Sequence, residues 1–237
     1  MSTVRNAAGP FCRRIYLHEN RIEDTCRSAL SAVGLMPSSP GPVRIERFIF
    51  LQFGIDEEFE SLPEHIMGCA KFTRQGIKRI IINRQLAEDD GMVSRFRVRS
   101  TLAHEAGHGL FHTDLFVEKL NVESAGQLFG QEAGIFDSVA KDGFLCRAEG
   151  GMQSVPKFEW WEYQANLAMA ALLLPKNLLI EAARAELPRV LSGPGSFEDR
   201  VADAERQLST LFVVSRRMIS IRLGQWWTEQ SRQPSLF

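Results

Sequence analysis

The fold of this chain is indicated by one stretch, Leu102-Ala103-His104-Glu105-Ala106-Gly107-His108-Gly109-Leu110-Phe111-His112. It lies at the end of a segment, Met92 to Phe111, whose apolar spacing predicts a helix. Residues four apart on a helix project from the same face, so His104 and His108 can bind one metal ion while Glu105 stands beside them. The H-E-x-x-H pattern therefore predicts a metal site; the simpler alternative is a pair of buried histidines bonded to carbonyl groups.

A complete metal site needs a third protein ligand from elsewhere in the chain. Tetrahedral zinc in a hydrolase takes three protein ligands and keeps one position for water. Glu162 meets this requirement, because it lies in the long apolar helix predicted from Phe158 to Leu174, where a bare carboxylate is otherwise poorly placed. Glu159, one turn earlier, is the alternative ligand, and a solvated carboxylate at a helix edge is the simpler interpretation of Glu162. Asn166 follows Glu162 on the same face and is expected to orient a ligating histidine through a hydrogen bond.

Two separate blocks of sequence resemble the ImmA/IrrE family of zinc metallo-endopeptidases. The first runs from Arg95 to His112 and contains the H-E-x-x-H pattern; the second is Glu162-Tyr163-Gln164-Ala165-Asn166-Leu167-Ala168, followed by Leu172-Leu173-Leu174-Pro175. The strand that ends in Ile82-Asn83 is similar to that family too, as is Leu211-Phe212-Val213-Val214-Ser215 with Arg222-Leu223. The resemblance covers roughly residues 20 to 225.

The resemblance implies an α+β fold of zincin-like type, with a small twisted sheet, an active-site helix that carries the H-E-x-x-H pattern, and a C-terminal helical extension. It implies His104, His108 and Glu162 as ligands of a Zn2+ ion and Glu105 as the catalytic carboxylate. Members of the family are gluzincin-like and cleave or otherwise inactivate helix-turn-helix repressors, often in response to DNA damage or on mobile elements. The implied function is a zinc-dependent endopeptidase that cleaves a regulatory protein, a helix-turn-helix transcriptional repressor.

Two other classes of function stay open. The chain could be a non-proteolytic regulator that keeps zinc structurally and sequesters a partner protein, or it could be a DNA-binding transcription factor. The second is suggested by the C-terminal helix pair, in which Ser215 is a plausible N-cap followed by Arg216, Arg217 and Arg222. Nearby acidic residues offset these charges, so packing of the pair on the peptidase domain is expected instead of DNA binding.

Peptide hydrolysis also needs a proton carrier and a hydrogen-bond donor for the oxyanion of the tetrahedral intermediate. Glu105 is expected to take the proton from water and return it to the leaving amine. The candidate donors are His112, Tyr163 and Tyr16. His112 lies one more turn along the ligand face of its helix, and a structural hydrogen bond is its alternative role.

An extended substrate needs a backbone edge with which to pair. Two β-compatible runs, Ile66 to Phe72 and Ile77 to Asn83, are separated by a loop that contains glycine, which predicts a hairpin. The second strand is expected to bind substrate next to the zinc, through Ile81, Ile82 and Asn83. The alternative is a fully paired core strand.

Composition divides the chain into three parts. Residues 1–19 are expected to be a flexible N-terminus, 20–190 the peptidase domain, and 191–237 the C-terminal helical, helix-turn-helix-like extension. A glycine-rich insertion at 113–156, with at most short helices, makes the separation between His108 and Glu162 longer than is expected for the family. It could be a lid, a substrate-selecting loop or a partner surface. Cys146 within it could be a reversible zinc-blocking thiolate or an ordinary cysteine.

Helical spacing and breaker residues predict the remaining elements. Further helices are expected at Asn20 to Val33, Val43 to Phe53 and Lys176 to Leu187, the last ended by Pro188. Two more are expected at about 197 to 211 and 215 to 229.

The composition narrows the classes of function. The chain has 237 residues, 44% hydrophobic and 24% charged, as in ordinary globular proteins. Its 28 Lys and Arg residues balance 29 Asp and Glu residues, so the broad positive field that carries direct nucleic-acid binding is not expected. No apolar run approaches the ~20 residues of a membrane helix, and Met1 to Arg14 lacks the apolar core of a secretory signal. We therefore expect a cytoplasmic protein without a membrane partner, whose four cysteines are reduced.

Overall fold

The elements of this chain are seen in a computed structural model that describes residues 2–4, 11, 13–88, 91–126, 143–147 and 159–232. Within these ranges the fold is α+β, as expected. The strands are β1 (Ser2–Val4), β2 (Arg14–Tyr16), β3 (Glu57–Glu60), β4 (Ile66–Thr73), β5 (Gly76–Asn83) and β6 (Gly143–Arg147). The α-helices are α1 (Glu19–Ala32), α2 (Ile45–Phe53), α3 (Met92–Phe111), α4 (Thr113–Gly126), α5 (Trp160–Leu173), α6 (Lys176–Ser192), α7 (Phe197–Phe212) and α8 (Arg216–Arg232).

Strands β4 and β5 form the hairpin that the two apolar runs predict. They pair antiparallel, from Gly68 opposite Ile82 to Thr73 opposite Gly76. Gly76 has a φ of 119°, a backbone conformation that favours glycine. The hydroxyl of Thr73 accepts a hydrogen bond from the backbone amide of Gln75 within the turn. The hairpin prediction is confirmed.

Strand β5 lies inside a four-stranded sheet with the order β3-β5-β4-β6. Its residues Ile80 to Asn83 pair in parallel with Glu57 to Glu60 of β3, while its other side pairs with β4. The substrate edge predicted at Ile81, Ile82 and Asn83 is therefore wrong. The run of isoleucines that ends at Ile82 is buried. Such uninterrupted apolar runs are typical of strands that are covered on both faces and lie in a sheet interior.

Part of the predicted insertion is regular structure. Helix α4 spans 14 residues, longer than the short helices expected there, because the segment 113–125 contains neither glycine nor proline. Strand β6 pairs antiparallel with β4, from Ile66 opposite Arg147 to Lys71 opposite Gly143. The insertion therefore adds a strand to the sheet on the β4 side.

The N-terminal part is held against the sheet and the helices. Strands β1 and β2 pair antiparallel, from Ser2 opposite Tyr16 to Val4 opposite Arg14. Phe11 and Ile15 are buried in a small apolar cluster that also contains Phe72, Phe116 and Trp160. The backbone of β2 is thereby fixed next to the first turn of α5.

Helices α3 and α5 pack closely in the core, and their contact requires a glycine. Every residue of α5 from Gln164 to Leu173 is buried. A Cβ atom at Gly107 of α3 would lie 2.9 Å from the Cβ of Ala168 and 3.1 Å from the carbonyl oxygen of Ala165. The missing side chain lets the two helices approach, which brings the polar residues on their facing sides together.

Helix α6 continues past its internal proline. The helix end predicted at Leu187 is wrong, because α6 extends to Ser192 with Pro188 inside it. A proline removes one backbone hydrogen bond, and the last turn is held by Val190, which is buried and whose carbonyl accepts from Nε of Arg200 at 2.6 Å.

None of the described helices has, by itself, the length and apolar composition needed to cross a membrane. Helices α5 and α6 reach that length and composition only as a pair, and they are bent by 59° at their junction.

Helix α8 is anchored to α1 and to the end of α5. The guanidinium of Arg222 forms an ion pair with Glu23 and donates to the carbonyl of Leu174 at 3.2 Å. Arg222 is buried. The C-terminal helices therefore pack on the preceding helices, and one of the three arginines that suggested DNA binding is used for that packing.

Candidate metal centre

Three potential metal ligands meet between α3 and α5. His104 and His108 extend from α3, and Glu162 extends from the first turn of α5. The histidine side chains are 3% and 0% exposed, and that of Glu162 is 16% exposed. The His-His-Glu group formed by these three side chains could hold a metal ion.

The separations of the ligand atoms fit one small cation. Nε2 of His104 lies 3.1 Å from Nε2 of His108 and 3.1 Å from Oε2 of Glu162. Nε2 of His108 lies 3.4 Å from Oε1 of Glu162. Ligand atoms placed about 2.0–2.1 Å from a tetrahedral zinc ion are about 3.3 Å apart. The observed separations are close to this value.

Asn166 determines which nitrogen of His104 faces the centre. Its Oδ1 lies 3.1 Å from Nδ1 of His104. An amide oxygen only accepts hydrogen bonds, so Nδ1 of a neutral His104 carries the hydrogen and the lone pair lies on Nε2. That lone pair faces the carboxylate of Glu162 and Nε2 of His108. A cation between them removes the repulsion among these electron-rich atoms, so the donor set fits a metal ion.

His112 and Gln164 make a second series of contacts behind His108. Nδ1 of His112 lies 3.0 Å from Nδ1 of His108, and Nε2 of His112 lies 3.0 Å from Oε1 of Gln164. Both side chains are buried. Gln164, which contacts His112 behind the centre, was not predicted from the sequence. The signal that could have found it is a buried amide in an otherwise apolar helix, since such a group requires polar partners.

Glu105 is a fully buried carboxylate with little hydrogen bonding. It is 0% exposed, and neither carboxylate oxygen accepts a hydrogen bond of good geometry from the described residues. Burial raises the pKa of Glu105 to about 8, and the charge of Glu162 acts in the same direction. The charge of His104 and a backbone hydrogen bond from Ala70 oppose this rise. A carboxylate left in this state costs free energy. Beside a group that can hold a cation, it is a candidate for proton transfer.

The pKa values of the other groups reflect burial and charge acting together. Burial lowers the pKa of His108 to about 4 and that of His112 to about 3. Burial also opposes protonation of His104, but the hydrogen bond to Glu162 and its charge raise the pKa of His104 overall. Burial favours the neutral form of Glu162, yet the two histidines hold its pKa well below the ordinary value. The ionised carboxylate and the neutral His108 are the forms that bind metals.

The two tyrosines that were candidate oxyanion donors are held in other contacts. The hydroxyl of Tyr163 donates to Oε1 of Glu19 at 2.8 Å. The ring of Tyr16 lies under the guanidinium of Arg14, whose central carbon is 4.3 Å from the ring centroid. Both tyrosines are about half exposed.

Asn83 and Glu159 are not part of the His-His-Glu group. The side-chain amide of Asn83 donates to the carbonyls of Leu62, Pro63 and Ile66, at 3.2, 3.2 and 2.8 Å, and thereby holds the loop before β4. Glu159 lies at the N-cap of α5, where its side chain makes no capping hydrogen bond. The side chain of Cys146 lies outside the described residues.

Comparison with known proteins adds no family assignment to this geometry. No protein-family model matches the chain, and no curated protein matches it. A functional conclusion therefore rests on the side chains of the centre and on the two blocks of sequence that supply them.

Proposed function

We propose that this chain is a zinc-dependent endopeptidase with a zincin-like fold of the ImmA/IrrE type. His104, His108 and Glu162 would hold the zinc ion, and Glu105 is the catalytic carboxylate. One observation carries the proposal: a fully buried carboxylate, without a hydrogen bond of good geometry from the described residues, stands next to a group of three converging ligands. The resemblance of the two sequence blocks to the family supports it, because those blocks contain all four residues.

Each side chain of the centre has a separate role in the proposed peptide hydrolysis. A bound zinc ion lowers the pKa of its water towards neutrality and polarises a carbonyl group. Glu105 accepts a proton from the attacking water and later delivers it to the leaving amine nitrogen. Burial suits Glu105 to this task, because a carboxyl group whose pKa is raised to about 8, and is lowered again by a nearby cation, gains and loses a proton near neutral pH. Asn166 holds His104 in the orientation that leaves Nε2 for the metal.

The substrate class follows from the resemblance alone. We propose a cytoplasmic regulatory protein, specifically a helix-turn-helix repressor, as the substrate. The first substrate to test is any helix-turn-helix repressor whose gene is found next to the gene for this chain. A library of short unstructured peptides is the second substrate, because it tests for peptidase activity without knowledge of the natural partner.

The test is incubation of the zinc-loaded full chain with each substrate, followed by mass spectrometry of the products. We expect discrete fragments of the repressor with the wild-type protein, and none after the metal is removed with a chelator. Glu105→Gln is the matched control, because it keeps the shape of the side chain and removes the proton carrier. It should retain zinc and yield no fragments.

The alternative function, a non-proteolytic regulator, predicts a different result for Glu105→Gln. If Glu105→Gln retains zinc and inactivates the repressor as fully as the wild type, with the repressor left intact, the non-proteolytic regulator is correct. In that case the endopeptidase proposal is wrong.

A further inference from the structure

A line of hydrogen bonds connects the N-terminal strand β2 to the ligand His108. Nε2 of Gln164 donates to the carbonyl oxygen of Ile15 at 2.8 Å. Oε1 of the same amide lies 3.0 Å from Nε2 of His112. Nδ1 of His112 lies 3.0 Å from Nδ1 of His108. All four residues are buried, so the hydrogen bonds of the line replace hydrogen bonds that these polar groups would make to water.

The carbonyl of Ile15 determines which atom donates and which accepts in each hydrogen bond of the line. The carbonyl of Ile15 can only accept, so the NH2 group of Gln164 faces it and Oε1 faces His112. Because Oε1 also only accepts, Nε2 of His112 carries a hydrogen. The other nitrogen of a neutral His112 is then an acceptor, and Nδ1 of His108 is the donor. The lone pair of His108 lies on Nε2, the atom that faces His104 and Glu162.

We propose that Gln164 and His112 are positioning residues that fix the tautomer and ring orientation of His108 for metal binding, with the backbone of Ile15 as their anchor. The proposal rests on the metal centre of the proposed function and is independent of peptidase activity. It assigns His112 to the support of a ligand, since the Nε2–H hydrogen that an oxyanion would need is directed at Gln164.

The same line gives the N-terminal part a role at the metal centre. Ile15 is held by the pairing of β2 with β1 and by burial against Trp160. If β2 moves away, Gln164 loses the acceptor that orients its amide, and either end of the amide can then face His112. Docking of this N-terminal part, which was expected to be flexible, therefore favours the tautomer of His108 that binds metal.

Substitutions at His112 test the proposal with a matched pair. His112→Asn keeps an acceptor oxygen close to the position of Nδ1, whereas His112→Leu has a similar shape and no acceptor. Zinc affinity of the full chain is measured by competition with a chromophoric chelator. We expect His112→Leu to bind zinc about 10–100-fold more weakly and His112→Asn to recover most of the loss. Gln164→Met removes the amide that bonds to His112 and should also weaken zinc binding, about tenfold.

A spectroscopic measurement separates positioning from general damage to the fold. The ring 15N shifts of His108 in the metal-free full chain report which nitrogen carries the hydrogen. We expect the Nδ1–H form in the wild type and in His112→Asn, and a mixture with the Nε2–H form in His112→Leu and Gln164→Met. Thermal unfolding of each variant shows that it is folded.

Three results would overturn the proposal. They are an Nε2–H tautomer in the wild type, equal zinc affinity of His112→Leu and the wild type, and equal losses in the Leu and Asn variants. A wild-type chain that binds no zinc would instead overturn the proposed function. The tautomer of His108 is still measurable in that case, so the two failures are distinguishable.

Discussion

Oδ1 of Asn166 lies 3.1 Å from Nδ1 of His104, so helix α5 orients His104 of α3 as well as carrying Glu162. Glu162 and Asn166 are one helical turn apart and share a face of α5. Because one face of α5 carries two parts of the centre, the geometry of the His-His-Glu group depends directly on the placement of α5 against α3.

Removal of the Asn166 acceptor is expected to weaken metal binding. Asn166→Leu leaves Nδ1–H of His104 without that oxygen, so the ring can adopt the other tautomer, and zinc affinity should fall about 10–100-fold. Asn166→Asp keeps an acceptor oxygen at the same position and should bind zinc at least as well as the wild type. Competition with a chelator measures both affinities. Equal affinities of the Leu variant and the wild type would contradict the role of Asn166.

A methyl group at Gly107 is expected to separate the two ligand-bearing helices. The added Cβ would lie 2.9 Å from the Cβ of Ala168, which is closer than real Cβ contacts. Gly107→Ala should therefore destabilise the protein by about 1–3 kcal/mol through overpacking, although alanine is the better helix former. Zinc affinity should fall as well, because Glu162 moves away from the histidines. Chemical denaturation and chelator competition measure the two effects.

Gly224→Ala is the matched control for this substitution. Gly224 is also inside a helix, and no described atom lies within 4 Å of the position that its Cβ would take. The gain in helix propensity should then appear alone, as a stabilisation of about 0.5–1 kcal/mol. If Gly107→Ala were stabilising to the same extent, the two helices would not be in the close contact described.

Periodicity along the sequence predicted the parts of the site that depend on one helix. The spacing of His104 and His108 on α3, and that of Glu162 and Asn166 on α5, follow from 3.6 residues per turn. The structure brings these four residues together. Gln164 was not predicted, because its partners, Ile15 and His112, belong to other elements that no local pattern connects to it.

Two predictions, the free edge of β5 and the helix end at Pro188, were wrong because they depend on contacts between elements that are distant in the sequence. Strand β5 was expected to offer a free edge, although Ile80, Ile81 and Ile82 form the uninterrupted apolar run of an interior strand. Its parallel partner β3, Glu57–Glu60, is too short and too acidic to be recognised as a strand from sequence. Helix α6 was expected to end before Pro188. It continues because a tertiary contact, the hydrogen bond from Arg200 to the carbonyl of Val190, holds its last turn.

Acidification is expected to release the metal in two stages, because protons compete with it for the histidine nitrogens. The contact with Glu162 raises the pKa of His104 despite burial, so His104 takes up a proton first. Burial lowers the pKa of His108 to about 4, so a second proton binds only in strongly acid solution. In Glu105→Gln, whose side chain does not titrate, apparent zinc affinity should be constant above the pKa of His104 and fall about tenfold per pH unit below it. A series of chelator competitions across pH measures the slope, and a two-proton slope near neutral pH would be the contrary result.

Arg222 is expected to contribute to stability, because it connects α8 to two other helices. Its guanidinium pairs with Glu23 and donates to the carbonyl of Leu174, and both acceptors lie in a largely buried environment. Arg222→Met leaves that carboxylate unpaired, which should lower the free energy of unfolding by about 2 kcal/mol. Arg217→Met, at an exposed position of the same helix, should change it by less than about 0.5 kcal/mol. Adding Glu23→Gln to Arg222→Met should recover part of the loss, because the unpaired charge is then gone. Urea denaturation of the four proteins measures these differences, and equal effects of the two arginine substitutions would show that α8 is not anchored through Arg222.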